Sequence, residues 1–172
     1  MKFTSYIRRF DENYTTFHIP ISNEIYNKMI LLAPDKRIIC TINNEFTFHC
    51  AMQSKVTFYF LMLNKETIKK YDYHENQEVS IEIIPDKSKY GMPISEEFEE
   101  VLASDPDGEI LFEKLTDGKK RSLIFLTNKT KNPQLKIEKC FVVLEHLKRN
   151  RGQLDLQLLN EDFKNFSNKK IL

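Results

Sequence analysis

Apolar positions follow two different rhythms along the chain, and the change falls at Lys89-Tyr90-Gly91-Met92-Pro93-Ile94-Ser95-Glu96-Glu97. Before this stretch, aromatic and β-branched residues alternate in short runs, the period-two pattern of half-buried strands. After it, apolar residues recur three and four positions apart between strong helix-capping residues. Gly91 and Pro93 fit poorly inside a regular element, so the stretch marks a joint. The pattern predicts an α+β chain, with a small β-barrel over residues 1–90 and a bundle of short helices over residues 91–172.

In the first part, strands are predicted at 2–9, 13–20, 36–43, 45–52, 55–63 and 78–84. Asn43-Asn44 signals a hairpin turn, because Asn tolerates the left-handed backbone a tight turn needs. A two-residue loop would set Ile42 opposite Glu45. A three-residue loop aligns Ile38, Cys40 and Ile42 with Cys50, Phe48 and Phe46, and the apolar pattern favours it. The run Val56 to Leu63 is apolar on both faces and predicts a central strand covered on each side. Two short helices interrupt the strands. Ser22 caps one, with Ile25, Met29 and Leu32 as its buried stripe; Asn64 caps the other, Lys65 to Lys70. Many short strands with little helix suggest a closed or half-closed barrel.

In the second part, Ser95 predicts a helix start, with Glu96 and Glu97 in the first turn and Phe98, Val101 and Leu102 buried. Asp105-Pro106 opens a second helix using Ile110, Leu111 and Leu115, and Thr116 caps a third using Leu123, Ile124 and Leu126. Asn132-Pro133 opens the longest helix, with the stripe Ile137, Cys140, Phe141, Leu144 and Leu147 and Gly152 as its stop. Leu156, Leu159, Phe163 and Phe166 predict a last amphipathic segment.

The segments TINNEFTFHCAM, LNKETIKK and NQEVSIEI, then SKYGMPISEEFEEVLASDPDG, KLTDGKKRSLIFL and KIEKCFVVLEHL, carry a resemblance. Together they resemble bacterial proteins of the YdeI/OmpD-associated family, in which a small β-barrel domain of unknown function precedes a helical domain. The resemblance implies a double-split-barrel-like first domain and a role linked to bacteriocin or antimicrobial-peptide protection and stress resistance. It carries no catalytic residues. Asn132-Pro133 stands where many members show Thr-Arg, and Asn43-Asn44 where the hairpin often carries Asn-Gly, so no role of that family arginine transfers.

Composition narrows the classes further. No apolar run approaches the roughly 18 residues of a membrane span, and the amino terminus lacks a secretory pattern, so the expectation is a cytoplasmic protein. Cys40, Cys50 and Cys140 fit reduced, buried thiols, with a Cys40–Cys50 disulfide left open because those residues fall on adjacent predicted strands. The formal charge of +1 hides a segregation: residues 1–113 carry 12 cations and 19 anions, whereas 114–151 carry 11 cations and three anions. A cationic helical segment on an acidic body points to an anionic partner or to docking between the halves.

Candidate chemistry is sparse. Cys40, His49 and Cys50, with His18, lack the paired spacing of a zinc site, and His49 falls on the opposite strand face from Cys50. Asp105-Pro106-Asp107-Gly108-Glu109 has its glycine too early for a calcium loop, and Glu96, Glu97, Glu99 and Glu100 suit a solvated helix start. There is no nucleophile elbow, phosphate-cradling glycine loop or dinucleotide fingerprint. The expectation is a non-enzymatic interaction module without metal or cofactor. The alternative is nucleic-acid binding through Lys119, Lys120, Arg121, Lys129 and Lys131, with Arg8 and Arg9 adding to it. Lys119, Lys120 and Arg121 stand near a predicted helix start, where the dipole opposes cations, so an anion is expected beside them. A third reading is small-ligand binding in a barrel lined by Phe46, Phe48, Phe58, Tyr59 and Phe60.

Overall fold

The computed structural model describes residues 1–10, 16–56 and 58–169, with side chains as far as Phe166. The chain divides into two compact units, Met1–Met92 and Pro93–Leu172. The first holds the strands β1 (Lys2–Tyr6), β2 (Arg8–Arg9), β3 (Phe17–Ile21), β4 (Arg37–Ile42), β5 (Phe46–Ala51), β6 (Gln53–Lys55), β7 (Phe58–Leu63) and β8 (Glu78–Pro85), with helices α1 (Asn23–Leu32) and α2 (Lys65–Lys70). The predicted strand 13–20 falls partly outside the described residues; its described part begins β3.

All pairings are antiparallel and form two four-stranded sheets, ordered β1–β8–β4–β5 and β2–β3–β7–β6. One predicted strand, 2–9, is divided between the sheets, and another, 45–52, ends at a corner beyond which the chain enters the second sheet as β6. Residues 2–9 pair with β8 through β1 and with β3 through β2, and the break is Ile7, fully buried and bonded through its backbone to Asn76 and Gln77. Likewise Met52, 1% exposed, separates β5 from β6, its amide donating to the Lys36 carbonyl at 2.9 Å. These corners let the chain serve two sheets while its apolar residue stays inside. Among the described residues no pairing closes the sheets into one barrel.

The hairpin β4–β5 has the three-residue loop, with Ile38, Cys40 and Ile42 opposite Cys50, Phe48 and Phe46. Asn43 and Asn44 both take positive φ, and the Glu45 amide returns to the Ile42 carbonyl at 2.9 Å. Ile38, Cys40 and Ile42 join Ile19, Leu61, Val79, Ile81 and Ile83 in the core. The central strand is shorter than predicted: Val56 is wholly exposed in a turn, and β7 starts at Phe58 between β3 and β6. In α1, Leu32 is exposed and does not join the stripe; Tyr26 takes that face, stacked on Tyr59 with ring centroids 3.6 Å apart.

The second unit is helical: α3 (Glu96–Ser104), α4 (Pro106–Glu113), α5 (Asp117–Asn128), α6 (Pro133–Arg149) and α7 (Leu156–Lys169). Ser95, Asp105 and Asn132 cap their helices through side-chain oxygens that accept from Phe98, Gly108 and Leu135 amides at 3.4, 3.0 and 3.0 Å. Thr116 occupies the cap position of α5 without a side-chain bond. Phe98 and Phe112 are fully buried and meet edge to face at 5.3 Å. Three predicted apolar positions are exposed, one of them Leu156 at the start of α7, where Leu159 is buried. Ile110 is exposed while Phe112 is buried, and Phe141 is exposed while Val143 and His146 are buried. The apolar stripe of each helix is rotated toward its actual neighbours.

Gly108 marks a close approach of α4 to α6. A Cβ there would lie 2.8 Å from Asp105 Oδ2 and 2.9 Å from both Leu144 Cβ and Cδ1. Gly108→Ala therefore forces α4 away from α6 or breaks the Asp105 cap, with an expected loss of about 1–3 kcal/mol. Gly118, which has nothing within 4 Å of its Cβ direction, is the control. Gly118→Ala should be neutral or stabilising by up to about 1 kcal/mol. Urea denaturation midpoints of the two variants check the contrast.

Candidate functional site

Asn64 starts α2 by accepting the Thr67 amide at 2.7 Å. One helical turn separates Lys65 from Lys69, so both project from the same side as Ile68. Opposite them β2 supplies Arg9, whose guanidinium lies over the Phe17 ring at 4.9 Å and reaches Glu75 at 3.4 Å. Arg9, Lys65 and Lys69 thus stand around Phe17 and Ile68 and line an open cleft of about 270 Å³. Among the described residues neither lysine has an acidic partner. Like charges one turn apart on a helix repel by tenths of a kcal/mol, so an anion in the cleft would relieve a strain already present.

The basic residues singled out from the sequence are arranged differently. Lys120 pairs with Glu113 at 2.7 Å, which supplies the anion expected near the start of α5. Lys119 and Lys131 are exposed, Arg121 is half-buried, and Lys129 lies over Phe125 at 4.6 Å. The cleft gathers none of these five; of the two arginines, Arg9 lines it and Arg8 bonds Asn76. The expected contrast of acidic body and basic tail also changes once the units are separated. Residues 1–92 carry 12 cations and 11 anions, and residues 93–172 carry 14 of each. The acidic run belongs to α3 and α4, inside the helical unit. There Lys136 meets Glu97 at 3.0 Å and Lys148 meets Asp105 at 2.8 Å.

Two histidine–aspartate pairs resemble fragments of catalytic machinery. His49 Nδ1 lies 2.7 Å from Asp86 Oδ2, and Asp86 accepts the Ser88 hydroxyl at 2.6 Å and amide at 2.9 Å through its other oxygen. Burial pushes the Asp86 carboxyl up, but the bonds from Ser88 and His49 outweigh it and hold it below its ordinary value. The serine proton is directed at the aspartate, so this is not a serine–histidine nucleophile. In the helical unit His146 is 1% exposed, with Nδ1 at 2.8 Å from Asp162 and Nε2 accepting the Asp155 amide at 3.3 Å. Both ring nitrogens are engaged, and the pair ties α7 to α6.

Among the described residues no three His, Cys, Asp or Glu side chains could hold a metal ion. The cysteines are free, and no disulfide joins Cys40 to Cys50. Burial pushes the Cys50 and Cys140 thiols up to about 12 and Cys40 higher still, which disfavours the thiolate form that nucleophilic chemistry needs. The aromatic residues proposed to line a barrel cavity separate into three groups. Phe46 stacks on Phe48, Tyr59 stacks on Tyr26, and Phe58 and Phe60 cluster with Phe10 and His18.

The cleft was not evident from the sequence because its residues are dispersed. The available signal was Lys65 and Lys69 at like-charged helical spacing, together with the Arg8-Arg9 pair. Among the described residues no helix is long and apolar enough to cross a membrane. Comparison with family models finds no match, and comparison with curated proteins finds none.

His18 gives a testable pH dependence. It is 4% exposed, stacked on Phe10 at 4.1 Å, and its buried Nδ1 has no hydrogen-bond partner among the described residues. Burial first, then Lys55 and Arg8, hold its pKa below the ordinary 6.5. Above that value neither the folded nor the unfolded state binds the proton. As pH falls below it the unfolded state protonates first, so stability declines until the lower folded value is reached. Urea midpoints measured from pH 7 to pH 5 should fall in the wild type and fall less in His18→Phe.

Proposed function

We propose that the protein is a non-enzymatic binding module that engages an anionic partner through the cleft of Arg9, Lys65 and Lys69. The convergence of these three cations on the apolar floor of Phe17 and Ile68 carries the proposal. The engaged nitrogens of His146 and the misdirected Ser88 proton favour binding over catalysis. In this reading the two sheets act as a split barrel whose edge strand β2 presents Arg9, in keeping with the resemblance to YdeI/OmpD-associated proteins. That resemblance adds a protective role against antimicrobial peptides. Such peptides are themselves rich in Lys and Arg, so the cleft would hold an anion rather than the peptide.

Nucleic-acid binding through Lys119, Lys120, Arg121, Lys129 and Lys131 is the second reading. Exposed Lys119 and Lys131 favour it, while the Lys120–Glu113 pair weighs against it. Titration with inorganic polyphosphate at low salt separates the two. Binding should be weakened at least tenfold by Lys65→Glu with Lys69→Glu, and less than threefold by Lys119→Glu with Lys131→Glu. Absence of binding, or a loss carried by the helical variant, would overturn the proposal.

A further inference from the structure

Resting on the anion-binding reading of the cleft, we infer the class of its occupant: a phosphate monoester carried on a small apolar body about one ring in size. Charge balance is the first argument. Arg9, Lys65 and Lys69 bring three positive charges and Glu75, paired with Arg9, brings one negative. Among the described residues the net surplus is two. A phosphate monoester carries roughly −1.5 to −2 at pH 7, whereas a carboxylate or sulfonate carries one charge and leaves a cation unbalanced.

The donors agree with this class. Arg9 is oriented on two sides, by the Phe17 ring at 4.9 Å and by Glu75 at 3.4 Å. A planar guanidinium so held presents parallel N–H groups that match two phosphate oxygens. The lysines approach from α2 as compact point charges. The floor supplies the second half of the specificity. Phe17 is largely buried with Arg9 over its ring and Ile68 is half-buried, so the apolar surface left open to the cleft is small, and one ring would cover it where a bare anion would not. Pockets for drug-sized ligands span roughly 300–1,000 Å³. A cleft of about 270 Å³ therefore suits a phosphate and one ring, not a long chain.

The test is calorimetric titration of the full chain with phenyl phosphate, benzenesulfonate and inorganic phosphate at pH 7.5 and pH 5.0. At pH 7.5 phenyl phosphate should bind at least tenfold more tightly than either of the others. No histidine lines the cleft, so the pH response belongs to the ligand, whose second ionisation lies near 6. At pH 5.0 the advantage over benzenesulfonate should shrink to less than threefold. Arg9→Lys, which keeps the charge and removes the fork, should weaken phenyl phosphate about fivefold, and Lys69→Gln about tenfold. Both changes are at exposed positions, and unchanged urea midpoints would show that folding is intact.

Equal affinity for benzenesulfonate, or a phenyl phosphate affinity insensitive to Lys69→Gln, would overturn the phosphate assignment. A phosphotyrosine peptide binding more than tenfold tighter than phenyl phosphate would overturn the small-ligand assignment. Polyphosphate binding in the cleft without a preference for phenyl phosphate would sink this inference alone. Failure of every anion, polyphosphate included, would sink the anion-binding reading with it.

Discussion

Like charges on adjacent turns repel unless an opposite charge is placed beside them, and this constraint orders the helical unit. The span Glu96–Glu113 carries eight acidic residues and no base. The cations follow in α5 and α6. Glu97 receives Lys136, Asp105 receives Lys148, and Glu113 receives Lys120. Each pair joins a helix of the acidic block to one of the basic block, and a helix bundle with another order would separate these charges. The hydrogen bond from Lys148 lowers the Asp105 carboxyl, as the reciprocal bond raises the lysine. Partly exposed pairs contribute up to about 1 kcal/mol each. The buried contacts of Phe98, Phe112 and Leu144 supply the larger share. The apolar contacts hold the helices together, and the charges select which helices lie side by side.

The same accounting changes where an external anion belongs. The sequence places an acidic body before a basic tail, yet each compact unit is close to neutral once its own residues are counted. Much of the positive charge of α5 and α6 already faces carboxylates within the unit. In the strand unit the situation differs locally. Arg9 is far along the chain from Lys65 and Lys69, and the fold of β2, β3 and α2 brings the three to one cleft, where among the described residues Glu75 is the acid that pairs with Arg9. A surplus created by folding is the better indication of a binding site than a surplus counted along the sequence.

Local signals in the sequence translate directly into structure. Ser22, Asn64, Ser95, Asp105 and Asn132 each cap the helix they announce, because a short polar side chain before an apolar-periodic run has one low-energy role there. The β4–β5 register follows from the need to keep Ile38, Cys40 and Ile42 on one face. Features set by tertiary partners are less legible. Ile7 and Met52 look like ordinary strand residues, and only the second sheet makes them corners. Leu32, Ile110 and Phe141 satisfy helical spacing yet lie exposed, because which flank of a helix is covered depends on its neighbours. The cleft combines positions 9, 17 and 65–69, and nothing in a linear pattern brings these together.

The selection of helix neighbours by charge is most directly tested by thermal denaturation of Lys136→Glu, Glu97→Lys and the double exchange at low ionic strength. Each single reversal sets like charges across α3 and α6 and should lower Tm. The double exchange restores an opposite pair and should recover most of what either single change loses, with the recovery shrinking in high salt. If the losses of the two single variants simply add in the double variant, or if neither reversal shifts Tm, the Glu97–Lys136 contact does not guide the packing and the account is contradicted.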